Sequence, residues 1–268
     1  MKIAFIREPA TPLVDFGSAG TDVVFDNRDA EAIEAAGEDR LDFVHLCDAD
    51  EIKTRRLPRC FDPAEFTPMD RKLARCQLGL DVKAFIVLQV CDVVPREGIE
   101  NVVRAMALLP RGIHPQLLVI GGDADPYEGL PTPEIDRLRG ITRELEVEDI
   151  VTFAGCRPRE QLRVYHAAAD VFVSTPSYEP CVVKPLQAMA CGTPVVGSAV
   201  SGIEYSVVDG LTGYLVAPND PPMLAEHLLY LHAHPALARA FGVAGLRRVR
   251  AMASSEAPSR TTECELRA

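Results

Sequence analysis

The 268-residue chain has no apolar run near the ~20 residues that a membrane-crossing helix needs, which excludes a helical span. It also lacks any pair of cysteines at C-x-x-C spacing. Its eight cysteines, at 47, 60, 76, 91, 156, 181, 191 and 264, are scattered, several of them in apolar stretches. Such thiols read as free and reduced rather than as a zinc or disulfide framework. Positive charge is scarce: 28 Lys and Arg stand against 39 Asp and Glu, a net charge of -11. That excess repels phosphate backbones and anionic lipid, so nucleic acid and membrane surfaces are not expected partners. A local basic site for a small anion stays open. His232 and His234 fall close together in LHAHP, but no ligand spacing completes a site, and neither metal nor cofactor is expected. No internal repeat is visible. The opening MKIAFIREPATP holds one lysine and a four-residue apolar stretch, too short for a signal-peptide core. The expected address is the cytoplasm.

What is present suits a globular core, with 47% hydrophobic and 25% charged residues. The length fits one large domain or two small ones, at ~100–200 residues per domain. Between about 80 and 235, apolar strand-length runs alternate with helical patterns. The runs are AFIVLQVC (84–91), QLLVIGG (116–122), IVTFAG (150–155), DVFVSTP (170–176), PVVGSA and GYLVAP. The helical patterns are 99–110, 133–147, 159–169, 183–192 and PPMLAEHLLYLHAHP. Continuous apolar runs of this length belong to strands buried on both faces. Their alternation with helices predicts an α/β fold, a Rossmann-like parallel sheet with helices on both faces. In such a sheet ligands sit at the carboxyl ends of the strands, so the loops after Cys91, Gly121, Gly155 and Thr175 are the ones to watch.

The flanks differ. Residues 26–51 hold ten acidic residues against two arginines, with strand-like stretches at KIAFI and DFVHL. The tail from 251 to 268 is rich in Ser, Thr and charge without periodicity, and is expected to be disordered. The expected division is an abbreviated N-terminal portion (1–76), a Rossmann-like domain (77–250) and that tail.

The most distinctive stretch is SYEPCVVKPLQAMACGTPVVGSAVSGIEYSVVDGLTGYLV (177–216). A Glu-Pro loop enters a helix that ends at Cys-Gly-Thr-Pro; a buried strand, a Gly-Ile turn and Asp-Gly-x-Thr-Gly follow. Together with RCFDPAEFTPMDR (59–71), LQVCDVVPREGIENVVRAMALLP, LLVIGG, VTFAGCRPREQL and AADVFVSTPSYEP, it resembles the donor half of retaining glycosyltransferases of the GT-B fold. These are the group 1 enzymes of the sucrose-phosphate-synthase-like and glycogen-synthase-like kind. The resemblance covers roughly 57–250, in order. It implies transfer of a sugar from a nucleotide diphosphate sugar to an acceptor, with retained anomeric configuration; the acceptor is not named by the sequence.

The resemblance also assigns residues. Glu179 stands where the family's acid bonds the transferred sugar, and is the candidate catalytic residue. The backbone N–H groups of Cys181, Val182 and Val183, opening a helix, stand where the phosphates are met. Gln187 replaces a Glu that holds the ribose diol, and Arg157 follows the strand near the base. Gly121 and Gly122 read either as a tight turn or as a close approach of backbone to nucleotide. Asp92 and Glu97 occupy positions where the family carries an Arg and a Lys that grip the diphosphate, so both signs are reversed. Two unit charges about 5 Å apart at an effective dielectric near 20 interact by roughly 3 kcal/mol. Reversing two such contacts costs several kcal/mol, on the order of thousands-fold in affinity. A catalytic acid pair at Asp92 and Glu97 is a further reading of the same loop. Val182 also stands where the family has Gly.

KIAFIREPATPLVDFGSAGTDVVF and LDFVHLCD, with His45, resemble pieces of the family's acceptor domain, of which much of the sheet is absent. Two readings therefore stand: a glycosyltransferase of weakened activity, or a non-catalytic relative serving as a binding or interaction module or surviving as a truncated remnant.

Overall fold

The computed structural model describes residues 3–7, 23–26, 43–46, 62, 64–122, 133–178 and 183–255. The chain divides into two units, Met1–Phe61 with Met252–Ala268, and Asp62–Ala251. The first holds three parallel strands, β1 (Ile3–Arg7), β2 (Val23–Asp26) and β3 (Phe43–Leu46), in the order β2-β1-β3. β1 and β3 fall on KIAFI and DFVHL; β2 was not read from the sequence.

The second unit is the predicted α/β layer structure. Six parallel strands, β4 (Phe85–Val90), β5 (Pro115–Ile120), β6 (Val151–Gly155), β7 (Val171–Ser174), β8 (Val195–Ser198) and β9 (Gly213–Val216), lie in the order β6-β5-β4-β7-β8-β9. The order runs outward from β4 in one direction, then restarts at β7 in the other. β4 and β7 thus flank the switch point, with Val87 opposite Leu117 on one side and Val171 on the other.

Alternating side chains along the strands supply both faces. Phe85, Val87, Val119, Val171 and Val173 pack with Val102, Met106, Leu138, Leu224 and Leu228 in one core. These come from α2 (Ile99–Ala107), α3 (Pro133–Glu144) and α7 (Pro221–Ala233). Ile86, Leu88 and Phe172 alternate with them along the strands and are fully buried too. Burying each such side chain stabilises by about 1.5–3 kcal/mol, which is why strands so uniformly apolar end up at the centre. Phe172 meets His166 of α4 (Arg159–Ala168). α4 in turn packs against α1 (Arg71–Leu78) and α5 (Val183–Ala190). α6 (Ser201–Ser206) and α8 (Pro235–Ser255) complete the helices among the described residues.

Three boundaries differ from the sequence reading. The second unit begins at Asp62, not after residue 76, because Phe66 and one face of α1 pack into it. Phe66 and Ala74 are inaccessible, and the Arg75 guanidinium reaches Ala168 O, Val82 O, Ala84 O and Asp170 Oδ2 at 2.6–3.0 Å. α8 was not read at all. It carries helix through Ser255, so the first five residues of the expected tail are helical; 256–268 lie outside the described residues.

Candidate functional site

The carboxyl ends of β4, β5, β6 and β7 are tied into one platform. Cys91 N donates to Ile120 O at 2.9 Å, and Gly121 N to Gly155 O at 3.1 Å. Gly121 passes so close to Cys91 that a Cβ on it would run into the Cys91 carbonyl oxygen. Gly122 lies over Val93, where a Cβ would sit 3.2 Å from Val93 Cγ2. Both glycines therefore serve the close packing of the loops after β4 and β5.

The loop after β4 is sewn to the loop after β7. Ser177 N donates to Arg96 O at 2.9 Å, and Thr175 Oγ1 to Gly98 O at 3.0 Å. Gly98 is left-handed, with φ 68°, and a side chain there would collide with the Thr175 carbonyl. Gly98 ends the short turn Pro95–Glu97 and opens α2.

Within this platform Asp92 and Glu97 have opposite surroundings. Asp92 is exposed. Glu97 is only 5% exposed, and its Oε2 lies 3.3 Å from Nζ of Lys184, in the first turn of α5. A buried carboxylate without a partner costs several kcal/mol, so this pairing lets an acid occupy the position. The full repulsion expected from the sequence is thereby reduced: Glu97 meets a cation. Gln89 Nε2 donates to the Glu97 carbonyl at 3.0 Å and fixes the backbone beneath it. Sequence reasoning missed Lys184, whose only signal was a charge opposite to Glu97 many residues away.

The structure places Val183 at the first position of α5, half-buried, and Arg157 just past β6. Arg157 Nε donates to the Tyr165 hydroxyl at 3.1 Å, and Nη1 to Cys156 O at 3.1 Å. Gln187 is buried beside His166, whose ring also packs against Phe66 and Phe172. Burial pushes the His166 imidazole down to about 3, and the neighbouring Gln187 amide offsets little of that. Neither ring nitrogen has a well-formed hydrogen bond. Glu179, Cys181 and Val182 lie outside the described residues. Among the described residues no three His, Cys, Asp or Glu side chains group to hold a metal, and no helix is long and apolar enough to cross a membrane.

A six-stranded parallel sheet in this order, with loops joined at its switch point, defines a doubly wound α/β protein, a class whose ligands bind outside the strand ends where the order reverses, here β4 and β7. The particular family follows from comparison with known proteins. The chain belongs to the group 1 glycosyltransferases, whose family model matches residues 70–248. A D-inositol 3-phosphate glycosyltransferase from Mycolicibacterium vanbaalenii is 38% identical over 229 residues, spanning 82% of this chain and 49% of that one. Among solved structures, sucrose-phosphate synthase from Thermosynechococcus elongatus superposes with a TM-score of 0.67 at 35% identity, covering 87% of this chain and 54% of that one. The Anabaena protein HepE, solved with UDP and glucose, superposes with a TM-score of 0.66 at 20% identity, covering 84% and 57%. The last is a likeness of fold. The chain spans about half the length of the curated relatives it matches.

Proposed function

We propose that this chain binds a nucleotide diphosphate sugar at the carboxyl ends of β4, β5 and β7 and supplies the donor half of a retaining sugar transfer. The observation that carries the reading is the switch-point platform. The loops after β4, β5 and β7, which bear the residues assigned by resemblance, are joined by direct hydrogen bonds at one end of the sheet. In this reading Glu179 bonds the sugar hydroxyls, and the amides of Cys181, Val182 and Val183 receive the phosphates at the start of α5. Gly121, Gly122 and Arg157 border the nucleotide. Gln187, an uncharged amide buried beside His166, gives the ribose a weaker grip than a carboxylate would.

A second reading is favoured by one observation, the exposed acid Asp92 in the loop after β4. Here the chain binds donor without transferring sugar. Titration of the full chain with UDP-glucose and other nucleotide sugars, followed by product analysis with an acceptor such as D-inositol 3-phosphate, separates the two. Heat of binding with turnover of retained anomeric configuration supports the enzyme; binding without turnover supports the module. Absence of binding to every nucleotide sugar rejects both.

A further inference from the structure

We infer that the cavity at the amino ends of β4 and β7 is a further binding site, which takes a small phosphate-bearing anion. It stands apart from the nucleotide platform and does not depend on the nucleotide-sugar reading.

Position separates the two. The cavity is lined by Phe85 and Val171, the first residues of β4 and β7, together with residues of α1, the end of α7 and the start of α8. At ~3.3 Å per residue, β4 puts roughly 17 Å between this end of the sheet and the platform. The cavity volume is about 240 Å³. Pockets for drug-sized ligands run from ~300 to 1,000 Å³, so this one suits a smaller molecule.

Its charge is the second observation. In a chain of net charge -11, four cations line the cavity, Arg71, Arg75, Lys83 and Arg239, against the single acid Asp170. That acid is already spent, accepting from Arg75 and from Arg71 at 2.6 and 2.8 Å. Arg75 also occupies two acceptors of the entrance to β4, Val82 O and Ala84 O, at 2.9 and 3.0 Å. The donors are less committed. Arg71 gives Asp170 one of its N–H groups, and the side chains of Lys83 and Arg239 have no hydrogen-bond or ion-pair partner. His232, whose ring meets Phe85 at 5.0 Å, adds an imidazole N–H to the lining. α7 ends where α8 begins, so their opposite end charges offset and the side chains set the sign of the site.

Cations gathered without a counter-charge repel one another, so folding gives no reason for this grouping. A cleft lined by one sign of charge concentrates the field and draws in the opposite ion. A phosphate monoester fits that demand, because its oxygens accept from ammonium and from the planar guanidinium fork alike.

The test is an NMR titration of the full chain with glycerol 3-phosphate, with glycerol as the neutral control. Saturable shifts are expected at the amides of Lys83, Phe85, Val171 and Arg239 with the phosphate ester, and none with glycerol. Affinity should fall as salt rises. Lys83→Met with Arg239→Met should weaken the ester by about tenfold or more. Both side chains are exposed and unpaired, so this double variant should keep the wild-type melting temperature. Should it melt lower, Arg239→Gln alone is read instead and should weaken the ester several-fold. The inference is overturned if the cavity amides show no saturable shift, if shifts are confined to residues 92–98 and 183–187, or if the folded variant binds as tightly as the wild type. None of these outcomes touches the nucleotide-sugar reading.

Discussion

At the scale of single residues, charge and burial decide which acids and bases matter. His166 is neutral in the folded protein because burial lowers its pKa to about 3. An unfolded histidine titrates near 6.5, so between those values the unfolded state binds more protons and stability falls as pH falls. Above about pH 6.5 the group contributes no pH dependence; at pH 5 it costs about 2 kcal/mol. His166→Leu should therefore lose less stability than the wild type between pH 7 and pH 5 in urea unfolding, and equal losses would show that the imidazole is not the acid-sensitive group. The two acids of the β4 loop should respond in opposite ways. Asp92→Arg should strengthen nucleotide diphosphate binding by about tenfold, with a gain that shrinks as salt rises. Glu97→Lys places an ammonium against Lys184, and should bring no gain in binding and a lower melting temperature. A gain from Glu97→Lys equal to that from Asp92→Arg would mean the pair does not persist in solution.

At the scale of elements, α1 is joined to the sheet by a charged clamp. Asp170, at the entrance to β7, accepts from Arg75 Nη2 at 2.6 Å, Arg71 Nη1 at 2.8 Å and Ile86 N at 2.8 Å. Arg75 is almost wholly buried and spends its donors on three carbonyls besides, so removing Asp170 leaves a cation without its counter-charge. Asp170→Ala should cost about 3 kcal/mol in chemical denaturation. Arg71, whose side chain is 41% exposed against 4% for Arg75, should cost under about 1 kcal/mol when replaced by Ala. Equal effects from the two substitutions would rule out a role for burial in the clamp.

At the scale of the molecule, the unit from Asp62 to Ala251 holds a continuous core on the α2, α3 and α7 side of its sheet, which among the described residues is drawn from that unit. A chain of nearly two hundred residues with its own core should fold alone. A fragment from Asp62 to Ser255 is expected to unfold cooperatively and to bind nucleotide diphosphate with the affinity of the full chain, by thermal melting and calorimetry. Loss of cooperative folding in the fragment would show that the Met1–Phe61 unit is needed for the fold; loss of binding alone would show that it contributes to the site.

Apart from α6, which the sequence offered only as a Gly-Ile turn, the strands and helices from β4 to α7 were legible because their signal is local. Each buried strand is a run of consecutive apolar side chains, and each of these helices repeats apolar residues every three to four positions. The alternation of the two already dictated a parallel sheet, and the motif from 177 to 216 already named the family. α8 escaped because PALARAFGVAGLRRVRAMASS mixes glycine and alanine with arginine, and its two glycines serve contact rather than pattern: Gly242 lies on the Gly192 carbonyl and Gly245 on Met189. α1 was missed as part of the second unit because the partner of Arg75 is 95 residues away. The same distance problem hid the pairing of Glu97 with Lys184, which are 87 residues apart. Sequence periodicity records what each segment buries, whereas which charges meet depends on strand order, and only the folded sheet brings the ends of β4 and β7 side by side.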